Sequence, residues 1–158
     1  MMLQLSSAAF SNHEAIPKRY TCHGENISPP LSWSDMPPGT ESLVLIVDDP
    51  DVPNPAAPQR TWTHWVLYNI PPQTYNLPQE VGKKHLPKEI QQGLNDWKET
   101  DYGGPCPPMG QHRYFFKLYA LDTMLADLGQ PTKAALEQAI QGHCLAQMQL
   151  IGTYQRSP

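Results

Sequence analysis

Residues 42–53 read SLVLIVDDPDVP. The first seven, Ser42 to Asp48, are apolar at odd and even positions alike, the pattern of a strand covered on both faces. The strand runs straight into Asp49-Pro50-Asp51-Val52-Pro53. Two prolines there withhold backbone donors and fix φ, so the plain reading is a turn that ends the strand. Thr61–Ile70 (TWTHWVLYNI) repeats the two-sided apolar pattern and is stopped by Pro71-Pro72. His112–Leu121 differs. Its even positions are His112, Tyr114, Phe116, Leu118 and Ala120, while its odd positions include Arg113 and Lys117. A period of two turns the even set toward the core, with His112 and Tyr114 at the open end of that face.

The rest of the chain is punctuated rather than periodic. Leu3–Phe10 predicts a first strand. Ser11–Pro38 is irregular, with room only for short extended pieces around Tyr20 and Leu31–Trp33. Residues 73–101 are polar, with a short helical turn expected near Pro87–Gln92. Pro131 and Thr132 open a helix that runs to Ile140. Thr132 caps it, Leu136, Ala139 and Ile140 form a core-facing stripe, and Gly142 stops it. His143–Tyr154 alternates as a strand. The 18 prolines and 10 glycines sit between apolar runs, as turn markers do. With no repeat and no composition break, residues 1–158 predict a single domain. Its fold class is mainly β, an antiparallel sandwich with a few short helices, one near the C-terminus.

Net charge is −4, and the 11 Lys and Arg are scattered, densest at Lys83, Lys84 and Lys88. A nucleic-acid partner would want a basic face, so none is expected. The longest apolar run, Leu43–Val47, is too short to cross a bilayer. The first basic residue is Lys18, so the start lacks the charged opening of a secretory signal, and the expected location is the cytoplasm. Cys22, Cys106 and Cys144 are an odd, sparse set, no disulfide framework, which agrees with a reducing compartment.

Residues 102–114, YGGPCPPMGQHRY, crowd three glycines and three prolines into a loop that delivers His112 and Tyr114. A loop made this rigid suggests a site. Four segments offer polar groups at strand ends: Asp49 and Asp51, His64, Gly103-Gly104, and His112 with Tyr114. On the residues alone several readings stay open. His64 is either a hydrogen-bonded core histidine or a ligand contact. His64, His112 and a carboxylate of Asp49 or Asp51 could form the metal triad of a hydrolase, although no HExxH spacing occurs. Cys106 is a small residue in a crowded loop, or a reactive thiol, although flanking prolines offer it no N–H. No G-x-S-x-G marks a serine hydrolase. His13, His23, His85 and His143 read as surface residues.

Asp49-Pro50-Asp51-Val52-Pro53 resembles the D-P-D-x-P signature of the phosphatidylethanolamine-binding protein family, which includes the Raf kinase inhibitor proteins. Trp62-Thr63-His64-Trp65 resembles its W-x-H segment, and Gly104–Tyr114 its G-x-x-P-P-x-G-x-H-R-Y segment. The tail GHCLAQMQLIGTY is similar to the bacterial and archaeal branch. The resemblance implies a non-enzymatic binding protein, with no cofactor, no catalytic residue and no bound metal. Its anion pocket would use Asp49, Asp51, His64, Gly104, His112 and Tyr114, with Trp62, Tyr102 and Cys106 as walls. Cys106 stands where many eukaryotic members have glycine. The implied partners are a small anion or phosphorylated ligand and a kinase or protease to restrain. Bacterial relatives imply a homodimer. Tyr114 O–H, two imidazole N–H groups and a nest of loop N–H groups could converge on phosphate. Asp49 beside an imidazole would favour its charged form, so anion affinity should fall as pH rises past about 6.5.

Overall fold

The computed structural model describes residues 2–81 and 86–156. Lys83, Lys84 and His85 lie outside these. The strands are β1 (Gln4–Ser6), β2 (Glu14–Ala15), β3 (Leu31–Ser34), β4 (Ser42–Val52), β5 (Arg60–Ile70), β6 (Asn76–Leu77), β7 (Gln91–Gln92), β8 (Gln111–Leu121) and β9 (Cys144–Gln155). One sheet has the order β2-β9-β8-β4-β5-β7 and the other β1-β3-β6. All pairings are antiparallel except the short contact of β2 with β9. Among the described residues a 3-10 turn at Lys18–Tyr20 and the helix α1 (Lys133–Ile140) complete the fold.

The two-sided apolar pattern of β4 and β5 has a direct cause. Leu43, Leu45, Val47, Trp65 and Leu67 face the small sheet and join Leu5, Leu31, Trp33 and Leu77 in the main core. Val44, Ile46, Val66 and Tyr68 face the other way, beneath Leu136 and Ile140 of α1. The alternation of β8 also holds: His112, Tyr114, Phe116, Leu118 and Ala120 are all buried. Thr132 caps α1 by accepting the Ala135 N–H at 3.1 Å, and Gly142 follows the helix with a φ of +81°.

Three boundaries differ from expectation. β1 is shorter than Leu3–Phe10; Phe10 leaves the strand but packs its ring 5.6 Å from Phe116. The helical turn expected at Pro87–Gln92 is a single turn closed by Ile90 N–H to Pro87 O, followed by β7. β4 does not stop at Asp48 but carries Asp49-Pro50-Asp51 along with it. Its pairing with β8 ends at Asp48, and its register with β5 shifts between Asp49 and Val52. Pro50 therefore sits where the ladder no longer demands its missing donor. No described helix is long and apolar enough to cross a membrane.

Asp48 ties α1 to the sheet. Its carboxylate is buried and accepts from Lys117 of β8 at 3.0 Å and from Lys133 of α1 at 2.7 Å. Both lysines keep part of their surface in water, so removing the acid strands no fully buried charge. Asp48→Asn is expected to destabilise the protein by about 1–3 kcal/mol. Urea unfolding measures the loss, which should be greater at low salt than at high salt.

Candidate functional site

At one end of the large sheet, three stretches of chain close around a pocket of about 540 Å³. The inner wall is sheet: Asp49 from the end of β4, Trp62 and His64 from β5, and Tyr114 from β8. The Gly/Pro loop supplies Tyr102, Gly103, Gly104 and Cys106. Opposite lies the 95–101 turn, with Trp97, Glu99 and Asp101.

The loops are placed by named bonds. Asn95 is buried and organises its own turn: Oδ1 accepts the N–H groups of Trp97 and Glu99, and Nδ2 donates to Asp101 O at 2.7 Å. Asp96 pins that turn to β5 by exchanging two bonds with the Thr63 backbone. The Gly/Pro loop is held against residues 20–26. Tyr102 O–H donates to Tyr20 O at 2.8 Å, Cys22 N–H to Pro105 O at 3.1 Å, and Gly104 N–H to Asn26 Oδ1 at 2.9 Å. A Cβ on Gly104 would overlap the Tyr20 carbonyl oxygen and the Asn26 side chain, so only glycine permits this approach.

Cys22 and Cys106 form a disulfide across the same seam. This corrects the reading of Cys106 as a free thiol, whether small filler or nucleophile, and removes the basis for inferring a reducing compartment. Disulfides persist in oxidising surroundings. Cys144 remains free and exposed. The pairing escaped sequence reasoning because 84 residues separate the two cysteines and an odd total hides the pair.

The two imidazoles stand at the same end of the molecule, on either side of Tyr114. Its ring centroid is 5.3 Å from that of His64 and 6.4 Å from that of His112. Their roles differ. His64 lines the pocket; its Nδ1–H donates to Gly103 O, leaving Nε2 for a ligand. Burial pushes its pKa below the ordinary 6.5, so the ring is neutral at pH 7 and Nε2 is an acceptor. His112 is wholly inaccessible and sits behind the wall. Its Nε2 donates to Met109 O at 2.9 Å, and its Nδ1 lies 2.7 Å from Asp49 Oδ2. The other Asp49 oxygen accepts the Asp51 N–H. In this structure His112 is bonded to Asp49 and Met109 and is not among the residues lining the pocket.

Asp51 is also withdrawn. Arg113 grips it through Nε, Nη2 and its backbone N–H, and this holds the carboxyl below the usual carboxylate range. The expected convergence of two imidazole N–H groups does not occur. Nor do Gly103 and Gly104 offer a nest, since Gly103 N–H bonds His64 O and Gly104 N–H bonds Asn26. The metal triad is not assembled either, because both nitrogens of His112 are engaged.

What the pocket does offer is two orphan donors. Among the described residues three buried side-chain polar atoms lack a partner, and two of them, Trp62 Nε1 and Tyr114 Oη, belong to pocket-lining residues. Burial and the neighbouring Asp49 push the Tyr114 phenol far above its ordinary pKa, so it stays a donor; the Asp49 carboxylate is near enough to act on it but does not stand in the geometry of a hydrogen bond. Trp97, which sequence reasoning passed over, packs edge-on to His64 at 5.0 Å and to Trp62 at 5.6 Å. Gly103 leaves room for that ring. Asp49, Glu99 and Asp101 line the pocket and, among the described residues, no lysine or arginine does.

The phosphatidylethanolamine-binding protein family model matches residues 6–155. A UPF0098 protein of Methanothermobacter thermautotrophicus is 49% identical over 155 residues, covering 98% of this chain and 99% of its own. Among solved structures, a phosphatidylethanolamine-binding protein homologue from Chlamydia trachomatis superposes with a TM-score of 0.89 at 46% identity, over 99% of both chains. YbcL of E. coli, described as a new member of the mammalian family, gives 0.89 at 30% identity, over 99% of this chain and 100% of its own. With a family model matched over residues 6–155 and relatives this similar over nearly the whole chain, the chain belongs to the phosphatidylethanolamine-binding protein family.

Proposed function

We propose that this chain is a binding protein without catalytic chemistry of its own, and that its pocket takes a small phosphate-bearing ligand with an ammonium group nearby, as in a phospholipid head group. The observation that carries this reading is the pairing of unsatisfied Trp62 and Tyr114 donors with a rim that is acidic and aromatic. A buried donor without a partner costs about 1–3 kcal/mol, and a phosphate oxygen relieves it. A bare phosphate would also stand near the Asp49 carboxylate, and among the described residues no lysine or arginine lines the pocket to offset the repulsion; Arg60 is engaged over the Trp62 ring at 4.8 Å. An ammonium beside Glu99 and the face of Trp97 supplies that offset. His64 and Gly104 shape the floor, and His112 and Asp51 hold Asp49 and Arg113 in place behind it. A phosphorylated segment of a kinase or protease would satisfy the same chemistry if a lysine or arginine flanked its phosphate.

Calorimetric titration with glycerophosphoethanolamine, inorganic phosphate and ethanolamine tests the proposal. The first should bind more tightly than either part. Inorganic phosphate binding as tightly as the intact diester would refute the acidic-rim argument, and no heat from any of the three would refute the ligand class.

Tyr114→Phe should weaken glycerophosphoethanolamine binding about tenfold, one hydrogen bond, while raising the stability of the free protein by about 1 kcal/mol. Paired calorimetry and urea unfolding read the two effects; a variant that loses stability instead would mean the hydroxyl has a partner in the free protein.

His64 sets a pH dependence for both binding and stability. Its folded pKa is depressed, so the unfolded chain takes up a proton first as pH falls. Stability is full above about 6.5 and is lost as pH drops toward the depressed value. Diester affinity should be level between about pH 7 and 8.5 and rise only under more acid conditions, where Nε2 becomes a donor. In His64→Gln the acid rise in affinity should vanish; its persistence would show that His64 does not set it.

A further inference from the structure

Three metal-ligating side chains meet at the outer edge of the pocket: Cys22, His23 and Cys106, with ligand atoms all within 4.8 Å of one another. Two of them are the disulfide, and Cys106 is exposed enough for a reductant to reach. The third is set like a metal-binding imidazole. Arg156 Nε, which can only donate, points at His23 Nε2 from 3.4 Å, so Nε2 carries the lone pair. The other nitrogen then bears the proton and donates to the Tyr154 hydroxyl at 3.0 Å. The Tyr154 ring stacks on the imidazole with centroids 5.8 Å apart. With Arg156 moved aside, His23 has the arrangement a ligating histidine needs, one lone pair free for the metal and one N–H held by an outer partner.

We propose that reducing the Cys22–Cys106 disulfide converts this corner into a zinc site, with the two Sγ atoms and His23 Nε2 as ligands. The S–S bond takes two electrons and two protons from a dithiol, which is oxidised to its own disulfide. The two protein thiols then release their protons to solvent as Zn²⁺ binds. Zinc holds sulfur at about 2.3 Å and imidazole nitrogen at about 2.0–2.1 Å in a tetrahedron, so neighbouring ligand atoms stand roughly 3.5–3.8 Å apart. Cys22 Sγ stands 3.8 Å from both His23 nitrogens, so the ring must turn its Nε2 edge toward the sulfurs, Arg156 must leave Nε2 and the two sulfurs must separate. Three protein ligands leave the fourth position to water.

The seam holds together without its covalent link. Cys22 N–H to Pro105 O, Gly104 N–H to Asn26 Oδ1 and Tyr102 O–H to Tyr20 O keep both cysteines facing one another. The site depends on this clamp and not on the identity of the pocket's ligand.

The test uses the untagged full chain carrying Cys144→Ser, which removes the exposed third thiol. Protein reduced with dithiothreitol, freed of it under argon, is titrated with Co²⁺ and then Zn²⁺, with circular dichroism recorded throughout. The expected result is one Co²⁺ per chain with thiolate-to-cobalt charge-transfer absorption, displaced by Zn²⁺, and no such absorption in the oxidised protein. His23→Ala should lower zinc affinity at least tenfold, and Cys22→Ser with Cys106→Ser should abolish the absorption. Absence of the absorption in reduced protein, unchanged affinity in His23→Ala, or loss of the folded spectrum on reduction would each overturn the proposal.

Discussion

The pocket exists because the Gly/Pro loop is held against residues 20–26. Pro105, Pro107 and Pro108 cannot donate, so this loop has few backbone bonds with which to fix itself. The clamp comes from outside: the Cys22–Cys106 bond, the Asn26 amide on Gly104, and the Tyr102 hydroxyl on Tyr20 O. Gly104 is the point of closest approach, and the absence of a side chain there lets the seam close. Everything the loop presents to the pocket, from Tyr102 to Cys106, inherits its position from that seam.

Behind the loop, the sheet commits most of its charged groups to one another. Asp51 is spent on Arg113, Asp48 on two lysines, and His112 lies between Asp49 and the Met109 carbonyl. These pairs rigidify the strand ends that carry Asp49, His64 and Tyr114. Among the described residues no lysine or arginine lines the pocket, and Arg60 beside it lies over the Trp62 ring. What remains facing inward is a neutral imidazole, a phenol and an indole among aromatic walls, with carboxylates at the rim. The ammonium group of the proposed ligand answers that balance.

Much of this architecture was legible beforehand. The long strands, the helix with its Thr132 cap, and the buried parity of β8 follow from periodicity and local chemistry, which act over a few residues. So does the grouping of Asp49, His64, Gly104 and Tyr114, through motifs at fixed places along the chain. The roles of His112 and Asp51 were not legible. A histidine and a carboxylate look the same in a sequence whether they face a ligand or brace a neighbour. Trp97 and Asn95 lay in a polar stretch without period, and nothing local marks a tryptophan that will cover a pocket 35 residues away along β5.

The amino-acid sequence by itself determined the strands, their faces and the family signature, because those depend on the alternation of apolar residues and on proline and glycine at fixed positions. Tertiary structure alone decided which polar atoms are spent and which are left over. That outcome depends on partners far apart in the chain: Cys22 with Cys106, Asn26 with Gly104, Asp49 with His112. A hydrogen bond or a disulfide is selected by distance and direction in space, and those are set only once both sheets have closed over their common core.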